Sequence, residues 1–178
     1  TGGFLVAAFS TGLVFHHFSI MSANGLDRAA AALVFVGYGF VSAGANLLTG
    51  FLLDRIPPRF LLSAALAAMV TAMVTATSIT SPTGVVVYGS ILGVMQGMSQ
   101  AIQSSVYAYY FGRLHIGAVK GLATTITVAG TAAGPLIVAL GYDLNGGYGP
   151  VLAISAIVPA VLALASPFLP RTRGGRIL

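Results

Sequence analysis

Four sets of uncharged polar side chains recur at helical spacing along this sequence. Gln96, Gln100, Gln103 and Tyr107 are separated by four, three and four residues, with Ser104 beside them. Tyr38, Ser42 and Asn46 recur every four residues, and Thr124, Thr127 and Thr131 every three to four. Thr11, His16 and His17 fall in one earlier stretch. Such spacing lays each set along one face of a helix. Amides, hydroxyls and imidazoles both donate and accept hydrogen bonds, so converging faces of this kind could hold a small polar solute. They could equally bond packed helices to one another, and a lone Ser or Thr can satisfy itself on its own backbone. The glutamine face is read as facing a cavity. The histidines change charge near neutral pH, so one of them could carry a proton or meet an anion. Adjacent helical residues point about 100° apart, so at most one histidine faces a cavity squarely. With no third ligand of suitable type, a metal site is not expected. The candidate cavity set is His16, His17, Tyr38, Asn46, Gln96, Gln100, Gln103 and Tyr107.

The elements that must position these residues follow from composition. Hydrophobic residues make up 57% of the 178 and charged residues 6%, with a mean hydropathy of +0.95. A soluble domain carries roughly 25% charged residues, so hydrocarbon is the solvent that fits. A spanning helix needs about 20 mostly apolar residues, and six stretches qualify: 3–22, 29–53, 60–80, 84–110, 117–141 and 151–169. The fold class expected is an all-α membrane protein of six transmembrane helices, followed by a basic tail over 170–178. The connectors are short and rich in Gly, Pro, Asn and Asp. Helices 3 and 6 hold only Ser and Thr as internal polar residues. Helices 1, 2, 4 and 5 are therefore expected to enclose a polar space, with 3 and 6 facing lipid.

The charges agree with these spans. Eight Lys and Arg and three Asp and Glu all fall in connectors, at helix ends or in the tail. The basic residues stand singly and form no nucleic-acid patch. Arg55, Arg59, Arg113, Lys120, Arg171, Arg173 and Arg176 fall on one side, and only Arg28 on the other. The positive-inside rule then places both termini in the cytoplasm, for a chain in the inner (plasma) membrane. Cysteine is absent, which excludes disulfides and thiolate metal sites. The sequence opens at Thr1 with no charged segment before its first apolar run. A signal peptide is not expected, and an excerpted chain is the simpler reading. No motif for an enzyme or a cofactor is present: there is no intramembrane carboxylate pair, no HExxH and no nucleophile with a base at workable spacing.

Two further constellations concern movement. The connector Gly50-Phe-Leu-Leu-Asp54-Arg55-Ile-Pro-Pro-Arg59 could latch helix ends together: Gly50 permits close approach, Asp54 suits a neighbouring helix amino terminus, and Arg55 and Arg59 can pair with it. Gly93-x-x-x-Gly97 and Gly130-x-x-x-Gly134 let helix backbones approach closely, and Pro135 removes a backbone donor inside helix 5, which predicts a kink. The Gly50–Arg59 run resembles the Gly-x-x-x-Asp-Arg/Lys-x-Gly-Arg signature of the major facilitator superfamily, found between the second and third helices of each six-helix half. Gly50, Asp54 and Arg55 match; Pro57 replaces the second glycine and Arg59 falls one residue late. The segments Tyr110–Gly121, Gly130–Pro135 and Gly141–Tyr148 are similar to the last three helices of bacterial members, nearest to the monocarboxylate and oxalate/formate type.

The resemblance implies that these are helices 7 to 12 of a twelve-helix transporter, a 3+3 inverted repeat whose missing partner is an amino-terminal six-helix half. It implies secondary active transport of a small solute by alternating access, with an organic anion as one candidate. Relatives of that type place an arginine or lysine within the membrane in this half, and this chain has none. A carboxylate would then need its basic partner from the other half or from a histidine. On the stripe argument, Gln100→Leu is expected to impair transport while sparing insertion. The alternative is a complete six-span protein acting as a dimer or as a non-transporting assembly partner.

Overall fold

The computed structural model describes residues 2–111 and 116–168, with the side chains of 106–111 and 116 outside that set. Seven α-helices follow one another: α1 (Gly2–Ala23), α2 (Arg28–Ala32), α3 (Val34–Leu53), α4 (Pro58–Thr75), α5 (Pro82–Phe111), α6 (Ile116–Asn145) and α7 (Tyr148–Ala165). Short 3-10 turns, Ala76–Ser78 and Ser166–Phe168, extend α4 and α7. Because α2 and α3 together make one span, six helices are long and apolar enough to cross a membrane. No strand occurs among the described residues.

The helix starts have local causes. Pro58 and Pro82 each open a helix, where a missing N–H costs nothing because the first-turn donors have no intrahelical partner. Ser81 accepts from the Gly84 amide at 3.1 Å, and Asp27 caps α2 by accepting from the Ala30 amide at 2.8 Å. α6 runs to Asn145, one turn beyond the Gly141 boundary expected from composition. It ends where Gly146, at φ +69°, turns its amide back to the Tyr142 carbonyl at 2.8 Å, a left-handed stop that glycine adopts freely. The break at Leu33 has a tertiary cause. His17 Nε2–H reaches in from α1 to the Ala31 carbonyl at 2.9 Å, and a side chain inserted into the backbone ladder is a known origin of such interruptions.

The first span packs on the fifth, the second on the fourth and the third on the sixth. Shifting every span by three along the chain exchanges the first two pairings and maps the third onto itself. Since three is odd, the two three-helix repeats run in opposite directions, as in an inverted repeat. The closest contacts are backbone to backbone at glycine. A Cβ at Gly93 would stand 2.8 Å from the Tyr38 carbonyl oxygen, and one at Gly97 2.8 Å from the Asn46 amide. In the equivalent pair, a Cβ at Gly134 would stand 3.0 Å from Ala8 Cα, and one at Gly130 3.1 Å from Phe4 Cα. Association in lipid relies on such close packing because apolar side chains gain nothing by leaving lipid tails.

The chain's own packing covers the spans unequally. Only 17% of the apolar stretch of the second span and of the fifth is buried, against 39% for the third and 56% for the fourth. Phe35, Phe40, Leu47 and Phe51 on α3, and Leu122, Leu136, Leu140 and Leu144 on α6, are exposed. The third span instead buries Leu66, Met69 and Met73. Hydropathy cannot tell which apolar face meets lipid and which meets protein, so the sequence could not separate these cases.

Candidate functional site

The four polar faces converge on a groove of about 290 Å³ bounded by α1, α3, α5 and α6. These are the four spans whose stripes predicted an enclosed polar space. Ser10, Thr11, Tyr38, Gln96, Ser99, Gln103, Thr127 and Thr131 line it, alongside the apolar Val6, Ala7, Val14, Leu92 and Met95. Thr11, Gln96 and Thr131 stand at the middle of their helices, so the groove lies near the bilayer midplane.

Several lining hydroxyls are already engaged. Ser10 donates to the Ala7 carbonyl at 3.2 Å, Thr127 to Ala123 at 2.9 Å and Thr131 to Val128 at 2.7 Å. Ser99 Oγ contacts Met95 Sδ at 3.9 Å. Thr11, Tyr38, Gln96 and Gln103 make no hydrogen bond among the described residues. Ser10 and Ser99 were missed in the sequence. Their signals were faint: Ser10 adjoins Thr11, and Ser99 lies one turn past Gln96.

Four candidate cavity residues lie elsewhere. His16 Nε2–H donates to the Pro135 carbonyl at 3.0 Å, and Tyr148 Oη–H reaches His16 Nδ1 at 3.4 Å. The ring therefore ties α1 to α6 and α7 and is not among the residues lining the groove. His17 is buried at 2% exposure, stacked on the Tyr88 ring with centroids 5.8 Å apart and planes 11° from parallel. It borders a small pocket of about 70 Å³ beside Tyr38, Val14 and Leu92. Its Nδ1 and the Tyr88 hydroxyl have no hydrogen-bond partner. Asn46 Nδ2 donates to the Gly97 carbonyl at 3.3 Å and so joins α3 to α5. Gln100 is exposed and outside the lining. The helical turn explains this: seven residues bring Gln103 to within about 20° of Gln96, whereas four leave Gln100 about 40° off on the other flank. The side chain of Tyr107 lies outside the described residues, as do Arg113 and the tail 170–178.

The connector cluster also differs from expectation. Among the described residues, a Cβ on Gly50 would meet nothing within 4 Å, so no described helix approaches there. Asp54 caps the carboxyl end of α3 and bonds no helix amino terminus among the described residues. Arg55 turns back over the Phe51 ring, its Cζ 4.7 Å from the centroid, and Arg59 lies over Phe60 at 4.9 Å. The Arg59 carbonyl accepts from Ser166 Oγ at 3.1 Å, which fixes the start of α4 to the end of α7. The mouth at the opposite end is an open cavity of about 670 Å³ walled by Ser19, Ser22, Asp27, Arg28, Tyr142 and Tyr148. Among the described residues, no three His, Asp or Glu side chains converge to hold a metal ion.

Six apolar spans around an uncharged polar groove define a polytopic membrane protein of the transporter kind. The family model of the Major Facilitator Superfamily matches residues 1–177, and the chain belongs to that family of membrane transporters. Comparison with curated proteins gives no match.

Proposed function

We propose that this chain is one half of a secondary transporter that moves a small solute by alternating access, with the groove as its share of the solute site. The observation that carries this reading is the groove itself: uncharged polar side chains from four spans meet at the depth of the bilayer midplane, where transporter sites of inverted-repeat proteins lie. The exposed apolar faces of α3 and α6 support the half reading, because they are symmetry-equivalent and give a second six-helix bundle two surfaces to pack on. The glycine seams at Gly93, Gly97, Gly130 and Gly134 keep each helix pair rigid, so that the bundle rocks as a body, and Pro135 shapes α6 beside the site. Asp54, with no side-chain partner among the described residues, the exposed Arg55 and the half-buried Arg59 serve as the latch at one end of the movement. That end, with both termini, faces the cytoplasm of a cell whose inner membrane holds the protein. The resemblance to monocarboxylate and oxalate/formate carriers makes an organic anion one candidate, its counter-charge coming from the other half.

The test is solute uptake by proteoliposomes. The intact protein that contains this chain should accumulate or exchange its solute, and liposomes holding only these 178 residues should not. Uptake by the 178-residue chain alone would instead mean a self-sufficient six-span protein working as a dimer.

A further inference from the structure

From the groove's hydrogen-bonding inventory we infer that the part of the solute seated against this wall is uncharged and bears hydroxyl groups, as in a polyol or a sugar. This inference rests on the groove being the solute site. Among the described residues, no Asp, Glu, Lys, Arg or His lines the groove. An ionised group moved there from water would lose its hydration and meet no counter-charge, a large cost in a medium of low polarity.

The free side chains narrow the chemistry further. With Ser10, Thr127 and Thr131 bonded to their own helices, the unengaged groups are Thr11, Tyr38, Gln96 and Gln103. Each glutamine offers an NH2 donor and a carbonyl acceptor, and each hydroxyl both donates and accepts. A carboxylate only accepts, so it would leave two glutamine carbonyls facing it without a proton between them. A hydroxyl donates once and accepts twice, so a row of hydroxyls matches all four groups at once. The apolar strip of Val14, Leu92 and Met95 beside them suits the C–H face of a sugar or polyol. At about 290 Å³ the groove lies at the lower edge of the roughly 300–1,000 Å³ usual for small-molecule sites.

The experiment uses the intact protein in proteoliposomes, with mannitol, glucose, lactate and oxalate as labelled solutes. Mannitol or glucose should be carried. Gln96→Leu should raise its KM about tenfold by deleting a donor and an acceptor. Gln96→Glu should be milder than Gln96→Leu, because a carboxylate still accepts from hydroxyls. Gln103→Glu, at an exposed position, gives the same comparison with Gln103→Leu if Gln96→Glu fails to insert. A carried carboxylate that suffers more from Glu than from Leu overturns the inference while keeping the groove as the site. Failure to carry either hydroxyl-bearing solute also overturns it. If neither the Leu nor the Glu variants alter uptake, the groove is not the site and the proposed function itself falls.

Discussion

The groove and the histidine pair are both polar regions inside the membrane, yet they differ in what their polar groups have left to offer. At the histidines, polar capacity is sealed inside the protein: His16 spans the Pro135 carbonyl and Tyr148, and His17 holds the Ala31 carbonyl and stacks on Tyr88, with His17 Nδ1 and the Tyr88 hydroxyl buried and unpartnered among the described residues. In the groove, two amides, a phenol and a hydroxyl are unengaged at the bilayer midplane. Polarity in a membrane helix is costly wherever it stands. What separates a structural knot from a solute site is unused hydrogen-bonding capacity that a solute can reach.

The largest effect should come from the frame that both regions share. At Gly134 an added Cβ would stand 2.8 Å from the Ala8 carbonyl carbon and 3.0 Å from its Cα, where backbone cannot yield. Gly134→Leu should therefore force α1 from α6, costing about 3 kcal/mol or more, seen as a lowered Tm in detergent and loss of monodisperse protein. His17→Ala comes next. It empties the space beside Tyr88 and orphans the Ala31 carbonyl, for about 2–4 kcal/mol. Uptake per folded molecule should stay as in the unmodified protein. Lost uptake with unchanged Tm would move His17 from the knot to the site and break the comparison. Asn46→Ala removes one long hydrogen bond at 3.3 Å between α3 and α5 and should cost about 0.5–1.5 kcal/mol of stability. A rise in solute KM at unchanged Tm would count against a packing role for Asn46.

Six spans were legible because apolar length is a property of the sequence itself, and the convergence of four of them was legible because helical period turns spacing into faces. Gln96, Gln103 and Tyr38 line the groove, as helical spacing suggests. The partners of the histidines were illegible because spacing gives a direction from one helix axis and says nothing of what waits there: the Pro135 carbonyl meets His16 from a residue 119 positions away. Which apolar faces this bundle covers was illegible for a related reason. The exposed face of α3, with Phe40 and Phe51, and the buried face of α4, with Met69 and Met73, are equally apolar. Only the pairing of spans distinguishes them. Gly50 poses the same difficulty, since a glycine reads as close packing whether or not a described neighbour stands beside it.

The smallest effect is expected at Gln100, and it tests the comparison most finely. In the linear stripe it is the central glutamine and would be the first choice for loss of uptake. In the structure it is exposed and set off from the face shared by Gln96 and Gln103. Gln100→Leu leaves no buried polar group without a partner, so Tm should hold within about 0.5 kcal/mol of stability. Solute KM should shift by less than about twofold, well short of the tenfold step expected at Gln96. Equal KM shifts at Gln96 and Gln100 would mean that the polar face is wider than the groove. Position on the stripe, rather than unspent capacity at the groove, would then decide which residues meet the solute.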